Sequence, residues 1–389
     1  MLPRRHSLQA LSLPRTVRAA LWCGVCVLGS ASAPSAFGQP PPPPKIDQAR
    51  VDTAIEKGVS YLRTLGPAAL GQVAYVTQKG TNYRGLVLYT LAWAGVPADD
   101  PGVRTLLEEC VNAPLERTYS VACEAMALEK IDRRKYRPRL AKIGQWLVDT
   151  QCANGQWSYG AVLPEQPGVT YSAGGEGGSG STVAEIPLKR TVRQALPYGD
   201  NSCSQYALLG LRACLEAGVV APAQTFALAE KWWAASLIAK DGYAGWGYSS
   251  EGKVKGKATG SMTAGAIGSV AIARYGQRKD PKKSPLLNVG LLWLTPRFSV
   301  TENPAMQKEW LYYYLYALSR AGILVEIERF GNHDWYAEGA DFILKDQRPD
   351  GAWLGDTLHN DVVAETCFAI LFLKRATKSI TYSKTTASQ

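Results

Sequence analysis

Six stretches of the chain are apolar over several helical turns with almost no break. They are NYRGLVLYTLAWAG from Asn82, TYSVACEAMALEK from Thr118, DNSCSQYALLGLRACLEAG from Asp200, GSMTAGAIGSVAIARYG from Gly260, EWLYYYLYALSRAG from Glu309 and NDVVAETCFAILFLKR from Asn360. A helix that is apolar all round has no face to give to water and is buried on every side. Each follows a segment whose apolar positions recur with the helical period and leave a charged face. These segments are Asp47–Thr64, Pro101–Asn112, Tyr136–Thr150, Pro222–Ala239, Pro285–Leu294 and Trp335–Asp346. Asp, Asn, Ser or Thr opens several of the buried segments and Gly closes several, the residues that serve free N–H groups at a helix start and a left-handed exit at its end. The alternation predicts an all-α fold, an (α/α)6 toroid of six helical hairpins with an inner and an outer ring. An open solenoid also alternates, but its inner helices keep a polar exposed face.

The junction between an exposed helix and the next buried one repeats. DTQCANGQWSYG holds Gln151, Gly155 and Trp157, and KDQRPDGAWLGD holds Gln347, Gly351 and Trp353 at the same spacing. A worn copy, KDGYAGWGYS, keeps Gly245 and Trp246 but has Asp241 where Gln would stand. The expectation is a staple, in which Gly takes a positive φ and Trp packs over the junction, and not a catalytic device.

The chain divides into residues 1–38, a signal peptide; 39–46, a Pro-rich spacer; 47–378, the toroid; and 379–389, a tail. The leader carries Arg4, Arg5, Arg15 and Arg18, then the short apolar run AALWCGVCVLGSASA and small residues up to Ala36-Phe37-Gly38. Export to the periplasm or the outside follows from that reading, and no later segment is long and apolar enough to span a membrane. The four leader arginines account for four of the ten net positive charges, which leaves +6 spread without a basic stripe. That balance gives no reason to expect a nucleic-acid partner. Cys110, Cys123, Cys152, Cys203, Cys214 and Cys367 remain after the leader, most of them inside apolar helical runs where a free buried thiol is the ordinary state. Cys203 and Cys214 on one helix would stand roughly 16 Å apart, out of disulfide reach.

Through the two Gln–Gly–Trp turns, YGDNSCSQYALLGL, SMTAGAIGSVAI, WLYYYLYALSRAG before HDWYAEGADFILKDQ, and ETCFAILFLKRA, the chain resembles the terpenoid cyclase and protein prenyltransferase superfamily of α/α toroids. It looks most like the exported prenyltransferase/squalene-oxidase-repeat proteins of bacteria. The resemblance covers nearly all of the mature chain and implies the toroid fold. It does not carry over the superfamily's chemistry. The Asp-x-Asp-Asp motif of alkene-protonating cyclases is absent, as are the Asp-rich diphosphate motifs and the Cys-Gly-Glu-Gln thioester. Asp200 and Cys203 invite comparison with a zinc site, but Glu365 stands where the prenyltransferase pattern supplies its histidine. Only His333 and His359 follow the leader. Neither a metal nor another cofactor is expected.

Candidate chemistry lies at the starts of the buried helices. Asp200, Asn201 and Asp361 are either N-caps or carboxylates and amides around one mouth of the ring. Glu124 and Glu365 sit inside apolar helices, where a charge needs a partner. Each is therefore half of a buried ion pair or an acid facing the centre, with Glu365 the better candidate for a raised pKa. Tyr312, Tyr313, Tyr314 and Tyr316 face several directions, and Tyr312, Tyr313 and Tyr316 are candidates to line the centre. His359 is a mouth residue or an exposed loop residue. A long insert at 159–199, with SAGGEGGSGST inside it, is either a lid over that mouth or a solvated insertion. The expected function is binding of an apolar or polymeric ligand in a central aromatic cavity. Its rivals are a glycan- or uronate-active hydrolase or lyase using Asp200 with Asp361, and a protein-binding scaffold. An open aromatic centre would favour a ligand site, and a side-chain-filled centre would favour the scaffold.

Overall fold

The computed structural model describes residues 46–66, 82–160, 184–191, 196–248, 256–355 and 361–380. The leader, nearly all of the spacer, the glycine-rich run of the insert, His359 and most of the tail lie outside the described residues. Twelve α-helices alternate along the described chain. The outer helices are α1 (Gln48–Arg63), α3 (Pro101–Asn112), α5 (Arg137–Asp149), α7 (Ala223–Ala235), α9 (Pro285–Leu294) and α11 (Trp335–Lys345). The inner helices are α2 (Arg84–Ala94), α4 (Thr118–Asp132), α6 (Asn201–Glu216), α8 (Gly260–Gly276), α10 (Leu311–Leu324) and α12 (Val362–Leu373).

Each inner helix packs on the next, and α12 packs back on α2, so the inner ring is closed. α1 packs against both α11 and α12, which joins the first hairpin to the last. This is the (α/α)6 toroid that the alternation predicts. Buried positions run all round α6 and α8, whereas α3 buries only Val103, Leu106, Leu107 and Cys110. The difference follows from sequence: α3 carries charges on three sides of its stripe, and α8 carries none before Arg274.

Helix starts are fixed by side-chain caps. Asp47, Asp100, Asp200, Thr259, Asp334 and Asp361 each accept a backbone N–H from the first turn of α1, α3, α6, α8, α11 and α12. Helix α7 ends four residues short of the expected Ala239, because the chain turns into a hairpin of β3 (Ile238–Lys240) and β4 (Tyr243–Gly245). Two further two-stranded pairs, β1 (Ile186–Pro187) with β2 (Val219–Val220) and β5 (Arg329–Phe330) with β6 (His333–Asp334), tie loops together.

The C-terminal segment crosses the end of the ring where the inner helices finish. Tyr89 Oη donates to Ala376 O at 2.7 Å, Arg212 Nη2 donates to Lys378 O at 2.7 Å, and Lys378 Nζ meets Glu129 Oε1 at 2.6 Å. The first turns of the inner helices lie at the opposite end.

Candidate functional site

The repeated turns are structural in detail. Gln151 Nε2 donates to Gly155 O within its own turn and to Thr225 O at the start of α7, the next outer helix. Gln347 Nε2 does the same with Gly351 O and with Ala54 O of α1, which makes the last turn a clasp on the first helix. Gly155 and Gly351 have φ of +97° and +87°, and a Cβ on either would fall within 2.5 Å of a neighbouring backbone carbonyl oxygen. Trp157 and Trp353 are fully buried; their indole N–H groups reach Leu147 O and Ile343 O of the preceding outer helix. Their backbone N–H groups donate to Ser204 Oγ and Thr366 Oγ1 of the following inner helix. Trp246 keeps both kinds of bond, to Trp233 O and Thr263 Oγ1. Gly245 departs from the expectation, since it lies in β4, and the positive φ values fall on Asp241 and Gly242 instead. An Asp-Gly hairpin turns the chain there, and Gly245 serves close packing instead, since a Cβ on it would lie 2.8 Å from Thr263 Oγ1 and 3.0 Å from the Trp293 ring.

Above the closed end, polar and aromatic side chains meet on the ring axis. Tyr119 Oη of α4 donates to Ser202 Oγ of α6 at 2.6 Å, and Ser202 Oγ lies 2.6 Å from Tyr313 Oη of α10. Gln205 Nε2 also donates to Tyr313 Oη, and Gln205 Oε1 accepts from Arg320 Nη2 at 2.9 Å. Tyr313 lies edge-on to Phe368 of α12, 5.7 Å between centroids. Side chains of four inner helices thus touch across the centre, which is filled at this level by the side chains themselves.

The aromatic rings form a ladder. Tyr248, 45% exposed, shares a 2.8 Å hydroxyl contact with Tyr159. Tyr159 neighbours Tyr119 at 5.9 Å, Tyr119 neighbours Tyr206 at 4.8 Å, and Tyr206 stacks on Tyr313 at 6.1 Å. Phe368 stacks on Tyr316 at 5.7 Å, and the Tyr316 ring lies 4.1 Å from the Arg320 guanidinium carbon. Burial raises the phenol pKa of Tyr119 and Tyr206 well above 10 and pushes Tyr313 up despite Ser202 and Arg320. These hydroxyls are therefore donors at neutral pH. For Arg320, burial pulls the pKa down but Tyr206, Tyr316 and Tyr313 outweigh it, so the guanidinium stays charged.

Of the residues singled out from sequence, the structure brings Tyr313 and Tyr316 to the axis. Tyr312 departs from the expectation: it points outward, its hydroxyl bonded to Asp346 behind α11, because it lies about 100° round the helix from Tyr313. Glu124 is half of a buried pair. Arg139 Nε meets its Oε1 at 2.7 Å, and the same guanidinium donates to Cys110 O and Ala113 O, on the outer side of α4. Asn201 also faces outward, donating to Gly247 O and accepting from Trp232 Nε1 at 2.7 Å. Asp200 caps α6 through Cys203 N, and its charge acts on Tyr119, Tyr313 and Tyr248 at the rim. Asp361 caps α12, and its charge acts on Tyr83. Glu365, 4% exposed, accepts the Gly355 N–H. Asp200 and Asp361 open α6 and α12, three places apart in a ring of six. At about 8–10 Å between neighbouring axes, opposite axes stand roughly 16–20 Å apart, and each carboxylate is held by first-turn N–H groups of its own helix.

Sequence reasoning missed Arg320, Ser202, Gln205, Tyr119 and Tyr206. The signal was present for Arg320, a charge inside an apolar inner helix like Glu124 and Glu365. Tyr313, Tyr316 and Arg320 also fall at i, i+3 and i+7, one face of α10. All six described cysteines are buried and unbridged, and burial pushes the Cys152 thiol up to about 11 and Cys123 to about 12, so neither is a nucleophile. Among the described residues, no group of three or more His, Cys, Asp or Glu could hold a metal ion.

No protein-family model matches the chain, and no curated protein sequence matches it. Solved structures share its fold. Two variants of the type II terpene cyclase MstE from Scytonema, one with geranylgeranyl dihydroxybenzoate as substrate and one with merosterolic acid A as product, align with a TM-score of 0.50 and 11% identity. Each alignment covers 84% of this chain and 97% of the cyclase. A possible member of the GH105 family from Salmonella enterica serovar Paratyphi A aligns over 88% of this chain and 96% of its own, with a TM-score of 0.50 and 12% identity. At such identities the likeness establishes the α/α-toroid fold that the sequence resemblance implied.

Proposed function

We propose that the protein is an exported toroid that holds an apolar ligand at the aromatic axis of its ring. The observation that carries this reading is the ladder of rings descending from exposed Tyr248 to Tyr316. The described strap at the far end leaves the rim of inner-helix starts as the route of entry, and an apolar guest reaching the axis has to part the Tyr313–Ser202 hydroxyl contact that now crosses it. MstE, of the same fold, holds a geranylgeranyl compound, which is consistent with an apolar guest. A glycan-cleaving role finds less support, because the two cap carboxylates that it would use open opposite helices. The leader with its arginines and short apolar run supports action outside the cytoplasm.

The test is native mass spectrometry of protein purified without detergent, together with titration by uncharged isoprenoid alcohols. The expected result is a bound small molecule of lipid-like solubility, released by organic solvent, or saturable quenching of tryptophan fluorescence by the alcohols. A bare chain whose fluorescence no alcohol moves would favour the scaffold reading, for which the side-chain contacts across the axis already speak.

A further inference from the structure

Arg320 is a described cation that lies against the rings of Tyr206 and Tyr316 at the axis, and it is under-satisfied. It is 3% exposed. Nη2 donates to Gln205 Oε1, whereas Nη1 has no hydrogen-bond partner among the described residues. The groups that act on it most are Tyr206, Tyr316 and Tyr313, with Cys123 also within reach. Two of those neighbours are orphaned in the same way, since the hydroxyls of Tyr206 and Tyr316 are buried without a hydrogen-bond partner. Tyr316 Oη has weak hydrogen-bonding interactions with Tyr89 and Arg320 that fall short of a well-formed bond to either. The rings of Tyr206 and Tyr316 lie 5.3 Å and 4.1 Å from the guanidinium carbon.

Arg137 shows what a structural buried arginine looks like in this fold. It is also 3% exposed, but it donates to Ala217 O at 2.9 Å, to Gly218 O at 3.2 Å and to Ala184 O. Those first two carbonyls close the C-terminal end of α6, where the helix dipole favours a cation. Arg320 has no such set of acceptors. A buried charge without a counter-charge is costly, and each unmet donor adds to the cost. A cluster of one guanidinium and two phenols, all short of an acceptor, is complementary to an acceptor-only group.

We infer that Arg320, with Tyr206 and Tyr316, receives the carboxylate head of a ligand whose apolar body lies along the aromatic ladder; this rests on reading the axis as a ligand site. Charge selects the head. The Arg320 guanidinium neutralises a monoanion, whereas a dianionic phosphate would need a second cation in an apolar surround, and the buried Arg212 of α6 is engaged with Lys378 O. Number of acceptors selects it too, because a carboxylate offers two oxygens with about four lone-pair sites for the three orphaned donors. Arg320 follows the start of α10 by nine residues, which at 1.5 Å per residue places it roughly 13 Å along the helix axis from the rim. The starts of the inner helices face that rim, and their dipoles favour an incoming anion, with Asp200 and Asp361 partly offsetting them.

The experiment compares cis-parinaric acid with its methyl ester, binding to the full mature chain being followed by energy transfer from tryptophan. The wild type should bind the acid about 10-fold or more tightly than the ester, the worth of a charge-assisted hydrogen bond in a buried site. Arg320→Met should bring the acid down to the affinity of the ester, and Arg320→Lys should keep part of the preference. If the methionine variant does not fold, the lysine variant and the wild-type ratio still decide. Equal affinities in the wild type overturn the carboxylate and leave the apolar reading intact. Failure to bind either probe overturns the apolar reading beneath it. A preference that survives Arg320→Met puts the head elsewhere and overturns the role of Arg320.

Discussion

Gly58 of α1 and Trp353 of the last turn lie near opposite ends of the described chain, and their contact holds the ring shut. A Cβ on Gly58 would come 2.7 Å from Trp353 Cζ3 and 2.9 Å from Ile370 Cδ1. Trp353 is fully buried, so Trp353→Ala should cost about 3–5 kcal/mol of unfolding free energy. Gly58→Ala gains about 1 kcal/mol of helix propensity and meets about 1–3 kcal/mol of overpacking, a net loss of roughly 0–2 kcal/mol. In the double variant the methyl group added at Gly58 enters space that the indole has left, while the Ile370 contact remains. The two losses should therefore fall short of additivity by about 1–2 kcal/mol, within the range for residues in contact. Urea denaturation followed by far-UV circular dichroism supplies the four free energies of the cycle. Losses that add to within about 0.5 kcal/mol would mean that the indole does not press on α1, and the clasp would then rest on Gln347 alone.

Removing Arg139 by Arg139→Ala should cost about 3–5 kcal/mol, because Glu124 is left as a buried charge; Glu124→Leu with Arg139→Met should recover most of it, and calorimetry of the three variants checks both. Burial raises the Glu124 carboxyl above its usual 4.5 against the pull of Arg139. The folded chain thus holds that proton more tightly than the unfolded chain, a contribution complete below about pH 4.5 and lost as pH rises through the folded value. Relative to Glu124→Gln, the wild type should lose stability from about pH 4.5 upward, and a gain over that window in paired denaturation curves would refute the assignment. Sequencing of the exported protein should find its first residue between Pro34 and Gln39, and a chain that begins at Met1 would remove the export proposal.

The sequence by itself determined the alternation of six charged-faced and six apolar helices, and with it the two rings, because burial on every side is written in composition along a helix. It also determined the Gln–Gly–Trp turns, whose chemistry is local: a left-handed glycine, an amide that bonds its own turn, and an indole over the helix just ended. What the Gln amide grips beyond its turn was not local. Thr225 and Ala54 come within reach of Gln151 and Gln347 only when the ring is assembled. The same holds for the buried charges. Glu124 and Arg320 look alike in sequence, each a charge among mostly apolar residues inside an inner helix. One turns outward to Arg139, and the other turns to the axis among phenols. A step of about 100° per residue decides which way a side chain faces, and only the packing of neighbouring helices fixes the zero of that rotation. Tertiary structure therefore decided which charge is paired with an opposite charge and which stands among phenols.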